Sequence, residues 1–208
     1  MASSVPVVGR SPHIQEKRQR RQAEILRAAM VAFRSRGYHA TTLEDIADRL
    51  GVRKTALYHY FPDKDAILFA CHQQSLSELS GHLAAARRKY ASATERLRHI
   101  ILEHVRVMTD SGEESPLAFD IPALSSPLQQ QVIVARDRYE RSLRRIIAEG
   151  VRSGEFRPVD PKIAVFVLLG AINWIARWYQ PRGRVDPAAI GQQFADQLLG
   201  GMSCPPQL

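Results

Sequence analysis

The residues best suited to chemistry lie between positions 42 and 64. Within 53–61, Thr55, Tyr58 and His59 stand at i, i+3 and i+4, so on a helix they share one face. That face presents hydroxyl, phenol and imidazole groups that can meet base edges. Arg53 and Lys54 at its start supply cations for phosphates. Leu57 and Phe61, also i and i+4, occupy another face and can pack inward with Val52. A short helix with one polar-aromatic face and basic flanks suits a DNA major groove. Lys64 follows in the first turn of the next helix. A cation there opposes the helix dipole. It is expected either to hold an external phosphate against the N-terminal amides or simply to be solvated.

Three elements must position this face. A first helix over about 14–36 carries Ala23, Leu26, Met30 and Phe33 on one stripe, with Gly37 as its stop. Thr41-Thr42-Leu43-Glu44 has the form of a capping box, with Thr41 as N-cap and Glu44 at N3. It opens a short helix with Leu43, Ile46, Ala47 and Leu50 on its apolar side, ended by Gly51. The third helix, near 53–61, must stop before Pro62. Two short helices joined by a glycine-containing turn match helix-turn-helix spacing.

Charge points the same way. Residues 1–64 hold twelve Lys/Arg against six Asp/Glu, whereas the other 144 hold seventeen against fifteen. A basic head on a nearly neutral body favours a polyanionic partner at the head. The whole chain, 208 residues with 45% hydrophobic and 24% charged, is long enough for a sizeable core and is not of disordered composition. Cys71 and Cys204 form no disulfide framework, and Cys71 reads as a small apolar helix residue. No apolar leader opens the chain, and the most apolar stretch, 163–176, is shorter than the roughly 20 residues of a membrane span. A cytoplasmic protein with no membrane partner is expected.

Beyond the head every pattern is helical. A long helix from Lys64 to about Tyr90 carries Leu76, Leu79, Leu83 and Ala86 on one side. Ser92–Glu95 opens a fifth helix to about Thr109. Residues 110–127, rich in proline, read as a loop with one short helix around 117–124. Ser126-Pro127 opens a helix to about Ser153, with Val132, Tyr139, Leu143, Ile146 and Ile147 inward. Asp160-Pro161 opens one to Tyr179, and Asp186-Pro187 the last. The expectation is an all-α protein of about nine helices. It divides into a disordered basic arm (1–13), a three-helix helix-turn-helix DNA-binding domain (14–63) and a helical effector-binding and dimerisation domain (64–203).

Residues 21–69 resemble the DNA-binding domain of the TetR family of bacterial repressors. The resemblance rests on Gly37-Tyr38, Thr42, Ile46-Ala47-Asp48, Gly51-Val52 and above all Leu57-Tyr58-His59-Tyr60-Phe61 with Lys64. It implies a homodimer with one reading head per subunit. It also implies a body that binds a small effector and dimerises through its last two long helices. By family position Thr42, Lys54, Thr55, Tyr58, His59 and Lys64 would contact double-stranded operator DNA, and Arg53 and Ala56 complete the candidate set. Arg53 replaces the family's frequent Ser or Thr cap, and Thr55 a common Gly, so the base sequence read is not inherited.

A second resemblance covers Asn173-Trp174, Arg177-Trp178-Tyr179, Pro181 and Gly183. It is similar to the branch of the family whose effectors are acyl-CoA thioesters. Arg177 could pair with phosphate or carboxylate, and Trp174 and Trp178 could offer flat faces to a ligand. Equally, both tryptophans could fill a dimer interface. The candidate effector set is His104, Met108, Phe119, Tyr139, Asn173, Trp174, Arg177 and Trp178. His104, on an apolar stripe with Leu97, Ile101 and Met108, reads either as a core histidine or as a polar anchor.

Glu95, His99 and Glu103 stand at i, i+4 and i+8 but lack a second ligand cluster, so no metal and no cofactor are expected. Arg136, Arg138, Arg141, Arg144 and Arg145 read mainly as a solvated face, with an anion-binding rim as the other reading. No GxSxG, P-loop, GxGxxG or HExxH occurs, so no catalytic residue can be named. The function expected is a ligand-responsive repressor released from a palindromic operator by a small molecule, acyl-CoA being the leading class. The alternatives are a regulator of drug efflux, a non-regulatory CoA-thioester-binding helical protein and a nonspecific DNA packager.

Overall fold

The computed structural model describes residues 12–109, 121–180, 183 and 185–204. They form α1 (Pro12–Arg36), α2 (Leu43–Arg49), α3 (Lys54–Leu57), α4 (Lys64–Lys89), α5 (Ala93–Thr109), α6 (Ser126–Ser153), α7 (Pro161–Trp178) and α8 (Pro187–Gly200). A 3-10 turn, Ile121–Ala123, stands where part of a ninth helix is expected. Phe156 and Ser203 make an isolated antiparallel bridge, and no strand occurs among the described residues. The all-α reading therefore holds, with eight α-helices among the described residues.

The helix starts follow from side-chain caps. Asp63 accepts from the Ala66 N–H at 2.7 Å, Asp160 from Lys162 and Ile163, and Asp186 from Ala189. Two caps sit one residue away from expectation. Thr42, not Thr41, caps α2 and exchanges bonds with Asp45, not Glu44. Thr41 is buried instead, its hydroxyl donating to the carbonyls of Ala32 and Gly37. Likewise Ser125, rather than Ser126, is the N-cap residue of α6. The first helix starts earlier than expected, so Pro12 and His13 belong to α1; the rest of the expected arm lies outside the described residues. Positive φ at Gly37 (79°) and Gly51 (63°) provides the two turns of the head.

One continuous core runs through the chain. In the head, Ile25, Ala29, Phe33, Ile46, Leu57 and Ile67 are almost fully buried. In the body, α5 is central and packs on α4, α6, α7 and α8. Leu97, Ile101, Leu143, Ile147, Leu168 and Ile172 fill that centre. Glu155 caps the start of α5 by accepting from Ala93 and Thr94 N–H. Gly150 is required where α6 meets α5, because a Cβ there would overlap the Phe156 ring.

One element departs from the sequence reading of its environment. α7 is 18 residues long and apolar enough, by length and composition, to cross a membrane, whereas the uninterrupted apolar stretch alone is shorter. Its inner side packs on α5 and α6. Its outer side leaves Ile163, Phe166, Val167, Trp174 and Trp178 between 44% and 64% exposed. The hydropathy that passes the membrane test thus belongs in part to an uncovered face.

Candidate nucleic-acid interface and effector cavity

The head presents the expected side chains outward. Arg53, Thr55, Tyr58 and His59 are exposed, with Tyr58 at 48%, while Leu57 and Phe61 are buried beneath them. The regular helix is a single turn, Lys54–Leu57, shorter than expected. Tyr58–Tyr60 continue as turns, held by Tyr60 and Phe61 N–H donating to Leu57 O at 2.9 Å. Arg53 occupies the N-cap position without a side-chain cap, as its replacement of Ser or Thr implies. Thr42 is exposed but engaged in its cap, and Ala56 is half-buried.

Two lysines are already occupied. Lys54 bridges to Glu44 at 2.7 Å and lies 5.9 Å from the Tyr58 ring centroid. The Glu44 contact, then the one with Tyr58, raises its pKa. Lys64 is neither solvated nor unpaired in the free chain. Its ammonium donates to the carbonyls of Tyr38 (2.7 Å), Thr41 (2.7 Å) and His39 (3.4 Å), and lies 4.3 Å from the Tyr38 ring centroid. Asp63 and Asp65 supply the negative charge that the α4 N-terminus favours, and Lys64 turns back to the carbonyls of the α1–α2 turn, of which that of Tyr38 also accepts from Thr41 N–H at 3.3 Å. Burial lowers its pKa.

Arg18 is a positioning residue that the sequence reading counts only as charge. It donates to His59 O at 3.2 Å and lies over the Tyr60 ring, so the exposed start of α1 is tied to the segment after α3. With Lys17 and Arg20, also exposed, it extends the basic surface beyond α3.

The body contains a second polar constellation, buried. Tyr139 Oη lies 3.4 Å from His104 Nδ1. Leu76, His104, Arg136, Tyr139, Leu169 and Asn173 line a small cavity of about 30 Å³. Burial lowers both His104 and His72 to a pKa of about 4; at His104 the Asn173 side chain opposes the shift, and the nearby Arg136 charge adds to it at both. Burial raises Tyr139 and lowers Arg136. At neutral pH this part of the core therefore holds two neutral imidazoles and a phenol beside one guanidinium. Both His72 ring nitrogens, His104 Nε2 and Asn173 Oδ1 are buried without a hydrogen-bond partner. Such atoms destabilise a core unless something meets them.

Of the expected effector residues, His104, Tyr139 and Asn173 are thus brought together. Met108 is buried but does not line this cavity. Phe119 lies outside the described residues. Trp174, Arg177 and Trp178 are exposed on α7 and do not line this cavity. One turn of helix carries both faces, so adjacency in sequence separates them in space. His72 is not singled out by the sequence, and Arg136 is read there mainly as part of a solvated face. Arg136 falls on the inward stripe of Val132, Tyr139 and Leu143, and only its charge suggests solvent. His72 likewise extends the stripe of Leu76, Leu79 and Leu83 by one turn.

Residues 25–71 match the family described as bacterial regulatory proteins, tetR family, and residues 90–202 match the tetracyclin repressor-like C-terminal domain. The HTH-type transcriptional repressor KstR2 of Mycolicibacterium smegmatis is 30% identical over 196 residues, covering 88% of this chain and 91% of its own. The TetR family regulator PfmR of Thermus thermophilus is similar in structure, with a TM-score of 0.75 and 32% identity over 85% of this chain and 97% of its own. AibR, solved in complex with isovaleryl coenzyme A and operator DNA, superposes with a TM-score of 0.76 and 26% identity, covering 88% of this chain and 98% of its own.

Proposed function

The chain belongs to the tetR family of bacterial regulatory proteins, and from that premise we propose that it is a cytoplasmic homodimeric repressor whose operator affinity falls when an acyl-coenzyme A thioester enters its body. As a DNA-binding transcriptional regulator it belongs to a family of regulators rather than enzymes. The reading face carries Arg53, Thr55, Tyr58 and His59 to bases and phosphates, with Lys54 exchanging Glu44 for DNA. Lys64 acts by holding the α1–α2 turn in place.

The observation that supports the effector class is the half-buried cation of Arg136 beside unpaired buried polar atoms. Arg136 has no salt-bridging carboxylate among the described residues, and His72, His104 and Asn173 offer open hydrogen-bonding positions around it. A thioester carbonyl or an acidic group supplies the missing acceptor, and an acyl chain can displace the packing of Leu76 and Leu169. Isovaleryl coenzyme A in the AibR complex is a ligand of this class. A lipophilic cation, as a drug-efflux reading requires, would meet like charge at Arg136.

Two copies would pair through α7 and α8. The exposed residues of α7, together with a groove of about 440 Å³ lined by Val159, Ile163, Val167, Leu198 and Met202, form one apolar surface that a second copy can cover. Trp174 and Trp178 serve that contact rather than the ligand.

The test is reciprocal linkage. A duplex selected from random sequence by this protein is titrated with and without acyl-CoA thioesters, free CoA, free acids and lipophilic cations, and thermal shifts are recorded in parallel. An acyl-CoA should raise the melting temperature and weaken operator binding roughly 5–150-fold. A response to lipophilic cations alone removes the acyl-CoA reading.

A further inference from the structure

We propose that His82, His99 and Glu103 form a transition-metal site, suited to Zn²⁺, that clamps α4 to α5. The three residues each offer one ligand atom, and these atoms lie within 4.8 Å of one another. His99 and Glu103 stand one turn apart on α5, and His82 meets them from α4. The sequence pattern Glu95, His99, Glu103 places the wrong acid in this group. Glu95 is bonded to Ser92 at the helix start, and the third ligand comes from the preceding helix.

Two imidazoles and one carboxylate are a donor set that Zn²⁺ accepts, with water in the remaining position. All three residues are half-buried, so that position opens to solvent. Bonds of about 2.0–2.1 Å around a tetrahedral ion separate its ligands by about 3.4 Å. The cluster therefore needs to tighten by at most about 1.4 Å, within side-chain movement.

The surroundings match a ligating His82. Its Nδ1 lies 3.6 Å from Glu103 Oε2, on the side of the cluster. Its Nε2 lies 3.7 Å from Glu78 Oε1. With Nδ1 on the metal, the ring proton sits on Nε2 and faces Glu78, the carboxylate–histidine–metal arrangement that fixes a ligand's tautomer.

Arg106 is the competitor. Its guanidinium bonds Glu103 and Glu78, both at 2.9 Å, and lies 3.3 Å from His82 Nε2. A guanidinium only donates, so this contact makes Nε2 the acceptor and leaves the proton on Nδ1, facing Glu103. Metal and guanidinium thus demand opposite tautomers of His82 and share the Glu103 carboxylate. Binding of the ion releases Arg106 and moves the ring proton from Nδ1 to Nε2.

The experiment uses the full-length, tag-free protein after dialysis against chelator, titrated with Zn²⁺ by calorimetry and with Co²⁺ by visible absorption. One ion per chain and tetrahedral Co²⁺ bands are expected. His82→Asn, His99→Asn and Glu103→Gln should each weaken Zn²⁺ at least ~10-fold, and Glu78→Gln about 10-fold. Arg106→Gln should tighten it, which no merely structural role of these residues produces. Circular dichroism reports folding of each variant; if a ligand variant fails to fold, the Arg106→Gln affinity and the Co²⁺ spectrum decide. Absence of stoichiometric binding, an affinity unmoved in the folded ligand variants, or weaker binding in Arg106→Gln overturns the proposal.

Discussion

Replacing Lys64 by methionine separates two roles that a lysine at this position could have. In the structure its ammonium is an internal strut, bonded to the Tyr38 and Thr41 carbonyls at 2.7 Å and stacked on the Tyr38 ring. Methionine keeps the length of the stem and some of its packing but leaves the Thr41 carbonyl without its donor and the Tyr38 carbonyl with only the longer bond from Thr41 N–H, at 3.3 Å. Hydrogen bonds to a charged group contribute about 1.5–3 kcal/mol each, and a cation over a ring about 0.5–1 kcal/mol more. Water reaches part of this site and recovers some of the loss, so the net destabilisation should be roughly 2–3 kcal/mol. For a chain of this size that corresponds to a fall in melting temperature of roughly 4–12 °C. The assay is thermal and urea unfolding of the free protein, with operator titration alongside. A phosphate-contacting lysine predicts the reverse pattern, unchanged unfolding with weakened DNA binding. An unfolding curve superposable on that of the natural protein would refute the strut.

Further outcomes follow from the geometry. Tyr58→Ala should weaken operator binding by roughly 10-fold or more without moving the melting temperature, since the ring is exposed and supports no core contact; fluorescence anisotropy checks it. His72 and His104, held near 4 in the folded chain against an ordinary 6.5, make the unfolded state bind more protons between those values, so stability is complete above pH 6.5 and falls as pH drops toward 4. The loss should be roughly 3 kcal/mol per histidine, and His72→Leu with His104→Leu should flatten the urea-midpoint profile over that window. Trp174→Glu should raise the dimer dissociation constant roughly 30-fold or more, read by analytical ultracentrifugation, while secondary structure is retained.

The legible part of this molecule is the part governed by period. The buried sides of α1, α4, α5 and α6 follow the stripes through Phe33, Leu79, Ile101 and Leu143, because a core-facing helix must repeat its apolar residues every three to four positions. The capped starts of α2 and α6 are legible to one residue, whereas α1 begins two residues earlier and α3 ends four residues sooner than the pattern suggests. Thr41 and Thr42 are chemically equal as caps, and Glu44 and Asp45 equal as their partners. What separates them is the tertiary slot that takes Thr41 into bonds with Ala32 and Gly37. The candidate site is legible where it is local, in the exposed side chains of the Arg53–His59 segment. It is not legible where residues from different helices meet. His72, His104, Arg136 and Asn173 come from four helices, and His82 reaches the His99–Glu103 pair across a helix contact. Charge misleads most at Arg136, whose stripe position places it inward against its hydrophilicity.

On the proposed function, the same helix carries the signal from cavity to head. Lys64, at the first position of α4, is bonded to the head's turn at 38–41, and Asp65 beside it accepts from Ser125 N–H at the start of α6. Two turns further along α4, about 12 Å away at 1.5 Å per residue, His72 faces the Arg136 charge from α6. The cavity beside it is too small for more than a water, so a ligand that enters must part α4 from α6. The Asp65–Ser125 contact holds those helices together at the head end and makes the parting a tilt rather than a translation. Two heads must sit about 34–36 Å apart to read successive turns of DNA. A tilt at a pivot so close to the head changes that spacing through the Lys64 strut. Breaking the pivot with Asp65→Ala, which removes the acceptor, should therefore reduce the effector's effect on operator affinity while leaving effector affinity for the free protein little changed. An undiminished response, measured as the ratio of operator dissociation constants with and without acyl-CoA, would place the coupling elsewhere.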